Sequence, residues 1–108
     1  MKTFHERAAE VGNTAVGLIT GDRAKAHGHA FLQHQCMADL WTTYLGAAGV
    51  ITDGRSISPL DASQMLMLMK VSRNAVGAYN PDTFIDQAGY ACLSGAIAQN
   101  LEEVKSEG

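Results

Sequence analysis

Two proline-marked helix starts, Ser58-Pro59 and Asn80-Pro81, constrain this chain more than any other feature. These are its only prolines, and each stands directly behind a residue that can accept from the free N–H groups of a helix's first turn. Proline at the first helical position loses nothing, because that N–H has no partner within the helix. Helices are therefore expected over 59–78 and 81–104, joined by a tight break at Gly77-Ala78-Tyr79. The first is apolar nearly all round its opening turns, through Met65-Leu66-Met67-Leu68-Met69, which predicts an element packed on several sides. In the second, Ile85, Ala88, Cys92 and Ala96 predict a buried stripe widened by Leu93 and Ile97, with a frayed charged tail from Glu102.

The first half supplies two more helices. Thr3-Phe4-His5-Glu6 reads as a capping box ahead of a seam of Phe4, Ala8, Val11, Ala15 and Leu18, which predicts a helix over 3–19. Gly12 and Gly17 interrupt it, either to let another helix approach or at a cost in helix strength. A polar connection from Asp22 to Gly28 carries Arg23, Lys25 and His27. A helix over 29–45 follows, with Ala30, His34, Met37, Trp41 and either Tyr44 or Leu45 on one face and Gly46 as its stop. Asp53-Gly54, between Val50-Ile51-Thr52 and Arg55-Ser56-Ile57, is a hairpin-type turn signal. It leaves a small β-hairpin and a plain loop as equal readings of 46–57. The expected fold is all-α: an antiparallel four-helix bundle in a single domain spanning 1–108.

Composition narrows the function classes. A net charge of -3 argues against non-specific nucleic-acid binding, which needs a basic face. No run approaches the 18 apolar residues of a membrane span, and the first residues lack a signal-peptide core. Only 18% of residues are charged, and with 11 glycines this suggests more buried surface than one small monomer offers, hence a homo-oligomer. Cys36 and Cys92 fall inside expected helices, as reduced, buried thiols of a cytoplasmic protein would.

Chemistry concentrates on the proline-started pair. Lys70 and Arg73 lie three apart on one helix, Asp82 and Asp86 four apart on the next, and such spacings put each pair on one face. The cations could clamp phosphate, with Arg as a planar fork and Lys as a movable point charge. They could equally pair with the two carboxylates, a common and weak arrangement. Asp82 also suits the positive end of its helix. Two carboxylates make half of a magnesium site; Glu6 with Glu10, or Asp39, would have to complete it. His27, His29 and His34 lack the spacing and the cysteines of a zinc site. Trp41 and Tyr44 could stack on a base, though such spacing more often marks packing.

Four segments together carry a resemblance. They are Asp22-Arg23 leading to His27-Gly28, Leu40-Trp41-Thr42-Thr43-Tyr44-Leu45-Gly46, Met67-Leu68-Met69-Lys70-Val71-Ser72-Arg73, and Asp82-Thr83-Phe84-Ile85-Asp86-Gln87-Ala88-Gly89-Tyr90. In order and spacing they resemble a family of small uncharacterised bacteriophage proteins over most of residues 5 to 98; members usually show Tyr-Gly at the place of His27-Gly28. The last segment is in turn similar to the final helix of MazG-like all-α nucleotide pyrophosphatases, where acidic residues bind Mg²⁺ beside a nucleoside triphosphate. The resemblance implies a helical fold, a phage origin and a nucleotide-type ligand; the expected location is the cytoplasm of the infected host. It carries over Asp82 and Asp86 as metal residues and Lys70 and Arg73 as phosphate contacts. The Glu-Glu-x-x-Glu run of the MazG-like enzymes is absent.

Three functions are expected in descending order. The first is a protein that binds and sequesters a nucleotide or a nucleotide-derived signal (a cyclic dinucleotide or an ADP-ribose type), without catalysis or cofactor, as a countermeasure to host defence. The second is a MazG-like Mg²⁺-dependent pyrophosphohydrolase, and the third a helical scaffold or inhibitor with no small ligand. Candidate ligand-binding residues are Lys70, Arg73, Asn74, Arg23, His27, Trp41, Tyr44, Asp82, Asp86 and Tyr90.

Overall fold

A computed structural model of the chain describes residues 1–21 and 29–107. Its elements are α1 (Phe4–Thr20), α2 (Ala30–Ala47), α3 (Pro59–Val76) and α4 (Pro81–Glu107), and no strand occurs among the described residues. The chain is all-α, as the periodicity predicts. The Asp22 to Gly28 connection, with Arg23, Lys25 and His27, lies outside the described residues.

Local chemistry sets the helix starts. Thr3 Oγ1 accepts from the Glu6 N–H at 3.1 Å. At α3 the capping box is reciprocal: Asp61 N–H donates to Ser58 Oγ at 3.0 Å, and Ser58 N–H to Asp61 Oδ2 at 3.0 Å. Asn80 Oδ1 accepts from Asp82 N–H at 3.0 Å at the start of α4. The ends differ more from expectation. α2 continues past Gly46 and stops at Gly49, whose φ of 77° lets Val50 N–H reach back to the Leu45 carbonyl at 2.9 Å and Gly49 N–H to Gly46 at 3.1 Å. That pair of bonds is a Schellman motif, which needs glycine one residue past the cap, not within the helix. α3 ends earlier than expected, at Val76, and α4 runs three residues further than expected, with Lys105 Nζ 3.3 Å from Glu102 Oε1 in its last turns.

Between α2 and α3 the turn forms but the strands do not. Asp53 and Gly54 both take positive φ, 61° and 72°, and Arg55 N–H closes the turn on the Thr52 carbonyl at 3.2 Å. No ladder follows, and the plain-loop alternative holds. Thr42 Oγ1 instead accepts from Ile57 N–H at 2.8 Å, fastening the end of the loop to α2.

Packing runs in a line. α4 packs on α3 and on α1, and α2 packs on α3. No comparable interface joins α1 to α2 among the described residues. Ser63 with Ser94 and Lys70 with Asp86 are contacts in which α3 is followed backward as α4 advances, so these two helices form a hairpin. The core between the helices is built from small side chains: Ala15, Ala38, Ala62, Ser63, Thr83 and Ser94 are buried, with Ile97 the large apolar residue among them. Small residues let helices approach closely. A methyl group placed on Gly89 would sit 3.5 Å from Ile19 Cγ2 of α1. The Ser63 and Ser94 hydroxyls, 2.7 Å apart, satisfy each other in that seam.

Several expected faces are corrected by this packing. On α1, Ala15 is buried and Val11 half-buried, while Phe4, Ala8 and Leu18 are exposed. On α2, Leu45 faces inward and Tyr44 does not. On α4 the buried positions are Thr83, Gly89, Ser94 and Ile97; Ile85 and Ala88 are half-buried, and Cys92 and Ala96 are exposed. Both thiols, expected to be buried, are exposed. α3 is central, yet Met65, Leu68, Met69, Val71 and Val76 remain exposed.

Candidate functional site

Six of the ten candidate residues lie at the tip half of the α3–α4 hairpin: Lys70, Arg73, Asn74, Asp82, Asp86 and Tyr90. Lys70 Nζ stands 2.9 Å from Asp86 Oδ2, with the lysine side chain 14% and the aspartate 35% exposed. Asn74 and Tyr90, each half-buried, sit one turn beyond Lys70 and Asp86 on their own helices. Ser63 Oγ donates to the Tyr90 carbonyl at 3.4 Å. Arg73 is different. It is exposed in the last turn of α3 and has no ion-pair partner among the described residues.

Spacing alone puts Lys70 and Arg73 on one face, but three residues turn a helix by about 300°, so they diverge enough to have different neighbours. Lys70 leans into the seam and is neutralised by Asp86; Arg73 clears it. The two carboxylates part in the same way, with Asp82 exposed at the first turn of α4 and Asp86 engaged. No group of three or more His, Cys, Asp or Glu side chains suited to a metal occurs among the described residues. Glu10 is occupied by Lys2, 2.5 Å away on the surface of α1.

Trp41 and Tyr44 do not join this cluster. The bond from Ile57 N–H to Thr42 Oγ1 places them beside the start of α3. Lys70 and Arg73 lie 11 and 14 residues after Pro59, roughly 16 to 21 Å along the helix. Trp41 is half-buried as a packing residue and Tyr44 projects outward. His29 is exposed, whereas His34 is buried. The Ala30 carbonyl, 2.7 Å from His34 Nδ1, assigns a proton to that nitrogen; buried Nε2 has no hydrogen-bond partner among the described residues. Arg23 and His27 are outside the described residues.

The Ser63–Ser94 pair, which organises the hairpin, carried no sequence signal that would separate it from surface serines. An apolar cleft of about 440 Å³ lies elsewhere, between Leu60 at the start of α3 and Leu101 and Val104 near the end of α4. No described helix is long and apolar enough to cross a membrane.

Comparison with known proteins gives the lineage. Residues 10–98 match the model of a family described as a domain of unknown function, DUF6378. The Gene 55 protein of Mycobacterium phage L5 is 36% identical over 78 residues, which are 72% of this chain and 46% of that protein. The Gene 55 protein of Mycobacterium phage D29 is 34% identical over 86 residues, 80% of this chain and 50% of that protein. The chain thus spans about half the length of these relatives. No solved structure matches it. The four segments quoted above fall within the matched residues; the chain has relatives among mycobacteriophage proteins and belongs to the DUF6378 family.

Proposed function

We propose that this chain binds a phosphorylated small molecule of nucleotide type at the tip of the α3–α4 hairpin and sequesters it from the host. The observation that carries this reading is the exposed guanidinium of Arg73, without an ion-pair partner among the described residues, beside the half-buried Lys70–Asp86 pair. A guanidinium grips phosphate oxygens in pairs, and its charge is permanent. Asn74 adds a neutral donor one residue away, and Lys70, held by Asp86, is positioned to share an incoming anion rather than to bind it alone. A cyclic dinucleotide or an ADP-ribose-type signal fits this anionic chemistry, and the phage kinship supports withholding such a signal from host defence. The four helices are read as an antiparallel bundle, and the complex as residing in the infected cell's cytoplasm without a cofactor.

The MazG-like alternative, hydrolysis with Mg²⁺, requires Asp86 to exchange Lys70 for a metal and requires further carboxylates to converge with it. The engagement of Asp86 by Lys70 favours the binding reading. The scaffold reading draws on a separate observation, the large exposed apolar side chains of α2 and α3.

A thermal-shift panel of cyclic dinucleotides, ADP-ribose and nucleoside triphosphates, with Mg²⁺ or EDTA, tests all three. Binding at 100 times the dissociation constant adds about 2.7 kcal/mol, a clear upward shift. A shift that survives EDTA, without release of pyrophosphate, is the expected result. Pyrophosphate release with Mg²⁺ would establish the hydrolase, and a flat panel would discard the ligand.

A further inference from the structure

We infer that α2 and α3 form the interface of a homodimer, and that a second copy of this chain covers them. This inference is independent of the ligand reading above. The chain exposes 7699 Å². A compact monomer of 11.5 kDa exposes about 5,800 Å². The excess is roughly 1,900 Å², and the radius of gyration of 16.2 Å against about 13 Å for a compact chain of this length agrees with it. A permanent dimer buries on the order of 1,000 to 2,500 Å² on each partner, so the excess is of the size such an interface removes.

Part of the exposed surface is apolar and lies on α2 and α3. Leu32, Cys36, Leu40 and Tyr44 recur every four residues along α2 and are all exposed, Leu40 at 63%. Met65, Leu68, Met69 and Val76 form a second exposed stripe on α3, with Leu68 at 60% and Val76 at 90%. α2 packs on α3, so the two stripes belong to one helical pair.

Charge identifies the occupant. The 18 residues of α2 and the 18 of α3 carry Asp39, Asp61, Lys70 and Arg73 as their only Asp, Glu, Lys or Arg side chains. Asp61 is used in the capping box and Lys70 in the pair with Asp86. Hetero-partners are selected and steered by complementary charge, which these stripes lack. Asp39 and Arg73 remain as one exposed charge of each sign, so the helical pair has no net charge to steer a different partner and is self-complementary, and two copies related by a two-fold axis would complete a four-helix core from α2, α3 and their equivalents.

Sedimentation and thiol reactivity of the full chain test this together. The wild type should sediment at twice 11.5 kDa at micromolar concentration. Cys36, within the α2 stripe, should be protected from N-ethylmaleimide, while Cys92 on α4 reacts in the same sample. Placing charges in the stripe, Leu40→Glu with Leu68→Glu, should weaken association roughly 30-fold or more and expose Cys36 with helical content retained. If the double variant fails to fold, the wild-type Cys36 protection still decides. A wild-type monomer, a Cys36 as reactive as Cys92, or a folded double variant that still dimerises would each overturn the inference; a monomer would leave the face to a different protein.

Discussion

Lys70 and Asp86 are not equivalent partners. The lysine is 14% exposed and the aspartate 35%. Removing Lys70 leaves a carboxylate that water can reach, whereas removing Asp86 strands a nearly buried ammonium. Asp86→Ala should therefore destabilise by about 2 kcal/mol and Lys70→Ala by about 1 kcal/mol, between the values of exposed and fully buried pairs. Urea denaturation of both variants measures the difference, and equal losses would mean that Lys70 finds water after all. Arg73 answers to a different test. With no protein partner among the described residues, Arg73→Ala should leave stability within about 0.5 kcal/mol of wild type while lowering nucleotide affinity roughly 10- to 150-fold. Arg73→Lys should regain part of the loss, because a point charge lacks the fork. Isothermal titration of a ligand found in the thermal-shift panel reads both. Wild-type affinity in Arg73→Ala would remove this residue from the site. That these four charges lie near one another on two adjoining helices was legible from spacing. Which of them pair was not, since pairing depends on the angle between two helices, a tertiary quantity.

At the scale of the element, glycine gives opposite results by position. A methyl group on Gly17 would meet nothing within 4 Å among the described residues, and Gly17 lies inside α1. Gly17→Ala should therefore stabilise the chain by about 1 kcal/mol through helix propensity alone. Gly49, with φ of 77°, holds the Schellman motif that ends α2, and Gly49→Ala should destabilise by about 1 kcal/mol despite equally open surroundings. Thermal unfolding should show the two melting temperatures moving to opposite sides of wild type, by roughly 4 to 8 °C each. A gain at both positions would mean that the turn after α2 does not need the left-handed conformation. The same contrast explains what could be read beforehand. Thr3, Ser58 and Asn80 announce helix starts because a cap is a contact within three residues. The buried faces were misread on α1 and α4 because the core uses Ala, Ser, Thr and Gly, which leave no hydrophobic stripe. The exposed leucines and methionines of α2 and α3 do leave one, and periodicity does not tell a stripe that faces the chain's own core from one that faces outward.

For the whole molecule, the line of packing from α1 through α4 and α3 to α2 leaves each outer helix with one extensive interface among the described residues. Such a chain buries little apolar volume: Ile97 is its one large buried aliphatic residue among the described positions. If a second copy supplies the missing core, folding and association are one equilibrium, and stability must depend on protein concentration. Unfolding entropy of about 2.1 cal/mol/K per residue gives roughly 0.45 kcal/mol/K for two chains of 108 residues. A tenfold dilution removes about 1.4 kcal/mol from a dimer, so the melting temperature should fall by about 3 °C per decade. Calorimetry from 1 to 100 μM would then span about 6 °C in total. A monomer held by its three helix interfaces alone predicts one melting temperature across that range. The Leu40→Glu and Leu68→Glu double variant should lose the concentration dependence and melt lower, and a dependence that survived in it would place the association on some face other than α2 and α3.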